Sequence, residues 1–278
     1  GLGLFSEPPL PKPPAQTPSP AFPHPDAPHL SVDGARLYHE AIGPADGPAL
    51  LMLHGGLGSM TDLNPIAERL AGRWRLIGID LRGHGRSTLG NTPLTYARHE
   101  ADVRAVLDAL GITRCAMFGF SDGGVVAYRL AASMPERATH LATLGAQWRL
   151  NEDDPAIDML RGMTPDLWRD IDAEAVADDQ RLNPEPDVDR LVATAVACWT
   201  DLGSSGYPFD AVRRITAPTL IARGDRDELF SLDEAVALRN ALPNAGLLNI
   251  PWADHDAHRS APDVLIAALA PFLACTQP

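Results

Sequence analysis

The segment from Phe118 to Gly124, FGFSDGG, places one serine between glycines. An apolar run, TRCAMF, precedes it, and a helical pattern, VVAYRLAASM, follows it. A simple turn is one explanation, because glycine and serine are frequent in turns. The other is a G-x-S-x-G turn from a strand into a helix, which holds Ser121 in a strained conformation and lifts its hydroxyl above the sheet as a nucleophile. Side chains at Gly119 and Gly123 would collide with the adjoining strand and helix, so this turn requires glycine at both positions.

A serine nucleophile needs a base, and the base needs a carboxylate that orients it. The segment LIARGDRDELF supplies Asp225 and Asp227 directly after one apolar run, and LLNIPWADHDAH supplies His255 and His258 after the next. Catalytic groups in open α/β sheets gather at the carboxyl ends of the strands, so we expect these segments to converge on the serine. The backbone N–H of Asp122, at the start of the predicted helix, lies where an oxyanion would form.

The elements that position these residues alternate between short apolar strands and helices from residue 29 onward. This alternation predicts a parallel sheet covered by helices on both faces. A hairpin with its turn at Asp33-Gly34 comes first. The predicted strands that follow are 49–55, 75–80, 114–120, 140–146, 218–224 and 246–251. The predicted helices of this part are 61–71, 94–110, 122–133, 231–241 and 262–273.

The alternation stops between residues 147 and 212, where the pattern is helical and acidic. We expect this segment to be a helical cap or lid inserted into a core made of residues 29–146 and 213–278. It carries large apolar side chains that either line an acyl or aryl pocket or form the core of the cap itself: Trp148, Met159, Met163, Trp168 and Trp199.

Residues 1–28 form a proline-rich N-terminal arm with ten prolines. Such a composition predicts extended, polyproline-like chain, because proline cannot contribute to helix or sheet ladders. Two alternatives remain open for the arm: a flexible tail, or a segment that docks on the body of the protein or on a second subunit, which would make a homodimer.

Composition narrows the classes of function. The formal net charge of −13 opposes binding to nucleic acid, whose phosphates would be repelled. Three widely spaced cysteines predict neither a disulfide framework nor a metal site. No apolar run is long enough to span a membrane, and no signal peptide is evident, so we expect a cytoplasmic protein.

Together these features resemble the α/β-hydrolase superfamily over residues 29–275, and within it the esterases, lactonases and C–C hydrolases with a small helical cap. The resemblance implies an α/β-hydrolase fold, with a mostly parallel eight-stranded sheet, helices on both faces and an inserted cap. The G-x-x-D pattern, which carries the catalytic acid in the family, matches at Asp227, with Asp225 as the alternative. The catalytic histidine of the family matches at His255, with His258 as the alternative. The loop His54–Gly58 resembles the HGxxG loop of the family, which implies Gly56, or else Leu57, as the oxyanion-hole donor beside Asp122.

The implied activity is that of a serine hydrolase that cleaves carboxylic esters with small to medium acyl or aryl groups. Ser121 would be the nucleophile, His255 the base and Asp227 the orienting acid, with no metal and no organic cofactor. A haloalkane dehalogenase or an epoxide hydrolase needs a carboxylate as the nucleophile. Because this chain has Ser121 at that position, the sequence argues against both classes. A lactonase or C–C bond hydrolase with the same triad, and a slow-turnover receptor or scaffold, remain alternatives. The side chain of Asp122 could instead meet a substrate ammonium.

Overall fold

The apolar segments form the strands of the computed structural model, which describes residues 21–275. In chain order the strands are β1 (Leu30–Val32), β2 (Ala35–Leu37), β3 (His39–Ile42), β4 (Ala49–Leu53), β5 (Arg75–Ile79), β6 (Cys115–Phe120), β7 (Ala138–Leu144), β8 (Thr219–Gly224) and β9 (Ala245–Ile250). Strands β3 to β9 make one sheet in the order β3-β5-β4-β6-β7-β8-β9. Only the β3–β5 pair of this sheet is antiparallel. The predicted mostly parallel sheet is confirmed.

The main sheet has seven strands where eight were predicted. The predicted hairpin at Asp33-Gly34 is present, but β1 and β2 form a separate two-stranded sheet. The backbone N–H of Tyr38 donates to Ser87 Oγ (2.9 Å), and the N–H of Thr88 donates to the Arg36 carbonyl (3.0 Å). The hairpin is therefore bonded to the segment around residue 87 and does not extend the sheet.

Helices cover both faces of the sheet. Their bounds are α1 (Asn64–Ala67), α2 (Tyr96–Ala109), α3 (Asp122–Ser133), α4 (Pro155–Arg161), α5 (Pro165–Ile171), α6 (Ala173–Leu182), α7 (Val188–Trp199), α8 (Leu232–Ala241), α9 (Ala257–Ser260) and α10 (Pro262–Ala274). Successive residues of β4 point to opposite faces, as the two-residue period of a strand requires. Leu51 packs in one core with Val126 of α3, and Met52 packs in the other with Leu265 of α10.

The helix predicted over 61–71 is much shorter in the structure. A 3₁₀ helix over Met60–Leu63 leads into the single turn of α1, and turns follow it to residue 73. Several of these turns are closed by i→i−3 bonds, including the one from the N–H of Leu70 to the carbonyl of Ala67 (3.0 Å). These bonds are mixed with i→i−4 bonds, such as that from the N–H of Ala71 to the carbonyl of Ala67 (3.0 Å), so the segment forms successive turns and not one continuous α-helix.

Four helices, α4 to α7, are inserted between β7 and β8, where the strand–helix alternation of the sequence stops. Each begins at a polar residue whose side chain accepts a backbone N–H of the first turn: Asp154, Thr164, Asp172 and Asp187. Such caps satisfy N–H groups that have no partner within the helix.

The end of the proline-rich arm lies on the body of the protein. Phe22 is buried, and its backbone N–H donates to Asn64 Oδ1 (2.9 Å). His24 Nε2 lies 2.5 Å from Asp80 Oδ2 in a buried pair. Residues 1–20 of the arm, and with them most of the homodimer hypothesis, lie outside the described residues. Within residues 21–275, no helix has the length and apolar character needed to cross a bilayer.

Candidate active site

The turn between β6 and α3 has the geometry that the G-x-S-x-G pattern predicts. Ser121 has φ 49° and ψ −117°, a left-handed conformation that is strained for a residue with a side chain. A Cβ at Gly119 would collide with the carbonyl of Gly123, and one at Gly123 would collide with the carbonyl of Leu53. The N–H of Ser121 donates to the Leu144 carbonyl on β7 (2.9 Å), which holds the turn against the sheet.

The structure brings Ser121, His255 and Asp227 together at the carboxyl ends of β6, β9 and β8. His255 Nδ1 lies 2.9 Å from Asp227 Oδ2, and His255 Nε2 lies 3.1 Å from Ser121 Oγ. An ionised carboxylate only accepts hydrogen bonds, so the proton of the neutral imidazole is on Nδ1, and Nε2 is free to accept from the serine hydroxyl. Asp227 Oδ1 accepts from the backbone N–H groups of Leu229 (2.9 Å) and Phe230 (3.1 Å).

The two alternative residues make contacts that do not connect them to Ser121. Asp225 Oδ1 accepts from Asn249 Nδ2 (2.8 Å) at the surface. His258 is buried against the ring of Phe120, with the ring centroids 4.3 Å apart, and neither of its ring nitrogens has a hydrogen-bond partner among the described residues. Burial lowers the pKa of His258 to about 3. A histidine in this state remains neutral and makes no contact that links it to Ser121.

The side chain of Asp122 lies directly beside Gly56, the other predicted oxyanion donor. A Cβ at Gly56 would lie 2.5 Å from Asp122 Oδ2 and 2.8 Å from Trp199 Cζ2, so this position has no room for a side chain. Leu57 follows with φ 63°, which turns the loop sharply after Gly56. Within residues 21–275, the backbone N–H groups of Gly56 and Asp122 donate to no protein acceptor. Both N–H groups are therefore available to an oxyanion.

The carboxylate of Asp122 is held by two donors of the protein itself. Its Oδ1 accepts from the hydroxyl of Tyr96 (2.9 Å), and its Oδ2 accepts from Trp199 Nε1 (2.8 Å). The side chain is buried, and this desolvation raises the pKa of the Asp122 carboxyl. The alternative of a substrate-binding Asp122 side chain is not supported, because internal donors occupy both oxygens.

A cavity of about 380 Å³ opens onto Ser121 and His255, within the usual size range of small-molecule sites. Of the predicted pocket residues, four line it: Met159, Met163, Trp168 and Trp199. Trp148 does not line this cavity, which agrees with the alternative that it belongs to the core of the inserted segment. The side chain of Trp148 is buried, its Nε1 donates to the Glu234 carbonyl (3.3 Å), and the guanidinium of Arg149 stacks on its ring.

Sequence reasoning missed several residues of the site. Ile171 lines the cavity three positions after Trp168, and Leu160 lines it three positions before Met163, spacings that a helical pattern would have indicated. Tyr96 had no such signal. It belongs to the first turn of α2, and only the packing of α2 against α3 brings its hydroxyl to Asp122.

Comparison with known proteins identifies relatives of the whole body of the chain. The family model described as "alpha/beta hydrolase fold" matches residues 48–196. A putative carbamate hydrolase RutD of Caulobacter sp. (strain K31) is 31% identical over 87% of this chain and 97% of its own length. A putative esterase/lipase of Haemophilus influenzae is 24% identical over 85% of this chain and 86% of its own length. The crystal structure of a putative lipase from Acinetobacter baumannii AYE superposes with a TM-score of 0.76 at 20% identity, covering 88% of this chain and 90% of that one.

Proposed function

Because this chain belongs to the α/β-hydrolase family and is a hydrolase, we propose that it cleaves carboxylic esters through Ser121, His255 and Asp227. The observation that carries the proposal is the unbroken series of contacts from Asp227 Oδ2 through His255 to Ser121 Oγ, at 2.9 and 3.1 Å. Hydrogen bonds in this order activate a serine hydroxyl that is otherwise a poor nucleophile.

In the proposed reaction, Ser121 Oγ attacks the ester carbonyl while His255 Nε2 takes its proton. Asp227 holds the imidazole and stabilises its cation. The N–H groups of Gly56 and Asp122 donate to the oxyanion, and each donor of this kind typically contributes about 3 kcal/mol to the stability of the transition state. His255 then gives the proton to the departing alcohol. A water molecule then attacks the acyl carbonyl while His255 takes its proton, and His255 returns that proton to Ser121 Oγ as the acid leaves.

The cavity supports substrates with an apolar part. Its wall includes Met163, Trp168 and Trp199, all supplied by residues 147–212, for which we propose the role of a cap over Ser121. The exposed side chains of Met159 and Ile171 lie at the same cavity and extend this apolar wall towards solvent. We therefore propose small to medium acyl or aryl esters as the substrate class.

A second candidate is hydrolysis of a carbamate by the same residues. It is favoured by the likeness to the putative carbamate hydrolase RutD, at 31% identity. Ser121 Oγ would attack the carbamate carbonyl in the same way as the carbonyl of an ester. The two activities differ only in the leaving group and in the atoms that flank the carbonyl.

The test is hydrolysis of p-nitrophenyl esters from acetate to decanoate, with an aryl carbamate and a lactone series in parallel. Wild type is compared with Ser121→Ala and with Ser133→Ala, a control at the other end of α3. We expect Ser121→Ala to lose about a thousandfold or more in kcat and Ser133→Ala to match wild type. Wild type that hydrolyses no ester, or equal rates in Ser121→Ala and wild type, would overturn the esterase proposal. Turnover of the carbamate alone would favour the second candidate.

A further inference from the structure

The buried carboxylate of Asp122 has no part in the proposed proton transfers. It nevertheless lies directly beside them, since its own residue follows Ser121 in the chain. It is buried, and its two oxygens accept from Tyr96 of α2 and Trp199 of α7. Burying a carboxylate is unfavourable unless hydrogen bonds replace the lost water, and here two donors do so.

Trp199 links this carboxylate to the inserted helices. It is the last residue of α7, its indole N–H donates to Asp122 Oδ2 at 2.8 Å, and its side chain lines the cavity. Its own backbone is fixed as well, because the hydroxyl of Tyr207 donates to the Trp199 carbonyl at 2.8 Å. The indole therefore has a defined position and is not a freely turning wall of the pocket.

The same two side chains touch the loop that carries the other oxyanion donor. The space where Gly56 would have a Cβ is bounded by Asp122 Oδ2 at 2.5 Å and Trp199 Cζ2 at 2.8 Å. The loop thus rests on the carboxylate and the edge of the indole. The two side chains therefore limit where Gly56 can lie.

We infer that Asp122 and Trp199 are a pair of positioning residues, in which the indole N–H holds the carboxylate against Gly56 and so sets the spacing of the two oxyanion donors. This inference rests on the proposed function, because it concerns the site at which that reaction would stabilise its oxyanion. Positioning errors of about 1 Å at a reacting centre can lower kcat about a hundredfold.

The proposed positioning role predicts that substitutions of these two residues differ in their effect on kcat. Trp199→Phe keeps a ring but removes the donor, and Asp122→Ala removes the carboxylate. In Asp122→Asn, the amide oxygen still accepts from the indole, and the amide nitrogen donates to Tyr96, whose hydroxyl is able to accept. The asparagine therefore preserves the support of Gly56, which alanine does not.

The experiment is a steady-state measurement of kcat and KM on the best p-nitrophenyl ester. We expect Trp199→Phe and Asp122→Ala to lower kcat about tenfold to a hundredfold with KM changed less than about threefold, as loss of a transition-state interaction requires. Asp122→Asn should recover most of the loss seen in Asp122→Ala. Trp148→Phe is the matched control, because it removes the N–H of another buried tryptophan outside the cavity; its kcat and KM should equal those of wild type.

The outcomes of this experiment distinguish a failure of the positioning role from a failure of the proposed function. If wild type turns over in a Ser121-dependent way while Trp199→Phe and Asp122→Ala keep the wild-type kcat, the positioning role is wrong and the proposed function stands. If Trp199→Phe does not fold, the comparison of Asp122→Ala with Asp122→Asn decides, and equal losses in both overturn the inference. Wild type without any Ser121-dependent turnover overturns the proposed function, and the inference with it.

Discussion

His255 Nδ1 lies 2.9 Å from Asp227 Oδ2, and the other oxygen of that carboxylate accepts two backbone N–H groups of the turn after β8. The carboxylate is buried, whereas the histidine ring retains contact with the cavity. The backbone donors fix the orientation of Asp227, and Asp227 in turn fixes the tautomer of His255. One strand end therefore determines which ring nitrogen faces Ser121.

Asp227→Asn should lower kcat by about four orders of magnitude, because an amide can donate to Nδ1 and stabilise the wrong imidazole tautomer. The control is Asp225→Asn, two residues earlier, whose side chain contacts Asn249 at the surface. Steady-state kinetics on a p-nitrophenyl ester distinguishes the two variants. Comparable losses in both would show that the turn as a whole, and not the Asp227 carboxylate, supports the reaction.

Local patterns in the sequence were sufficient to predict those parts of the site whose geometry depends on a single short segment. The serine turn needs glycine at positions 119 and 123 for steric reasons that are local, and the structure has this geometry. The strand ends that bring Asp227 and His255 to Ser121 follow from the alternation of strands and helices. The segments that carry Asp227 and His255 therefore converge on Ser121, as expected.

What the sequence could not predict depends on packing between distant segments. The direction of an indole ring is one example: the sequence left open whether Trp148 lines the pocket, and its indole N–H donates to the carbonyl of Glu234, 86 residues later in the chain. The place of the β1–β2 hairpin is another, since it depends on Ser87 and Thr88 as hydrogen-bond partners. Neither relationship leaves a periodic signal in the chain.

Gly56→Ala should lower kcat about a hundredfold while leaving the fold intact. The added methyl would meet Asp122 Oδ2 at 2.5 Å and Trp199 Cζ2 at 2.8 Å, so the loop must shift and carry its N–H away from the oxyanion. Gly72→Ala is the matched control, because nothing lies within 4 Å of the position its methyl would take. The measurement is kcat together with the melting temperature. Unchanged kcat in Gly56→Ala would contradict the assignment of Gly56 as a donor.

Phe22→Ala should destabilise the protein by about 3 kcal/mol, the usual cost of removing a fully buried aromatic side chain. The ring of Phe22 lies so close to β5 that a Cβ at Gly78 would be 2.7 Å from it. Urea unfolding gives the free energy of unfolding. A loss below about 1 kcal/mol would mean that the end of the arm contributes little to the stability of the body. Leu232→Ala, at an exposed position on α8, serves as the control.

His258 should make the protein sensitive to acid. Its pKa is lowered by burial to about 3, whereas in the unfolded chain an unperturbed histidine has a pKa of about 6.5. Below pH 6.5 the unfolded chain therefore binds a proton that the folded protein does not, so the stability present above pH 6.5 is lost as the pH falls towards 3. From pH 7.5 to pH 5 this single group should cost about 2 kcal/mol.

His258→Phe isolates this contribution, because phenylalanine keeps an aromatic ring beside Phe120 and cannot be protonated. Urea unfolding at several pH values between 5 and 7.5 measures the slope of stability against pH, which is independent of any constant change in packing. The buried His84, whose pKa burial lowers to about 4, remains in both proteins and contributes equally to both slopes. The variant should therefore lose about 2 kcal/mol less than wild type over this range. Parallel curves would mean that His258 takes up its proton without unfolding, which requires an acceptor or solvent to reach its ring nitrogens in the folded state.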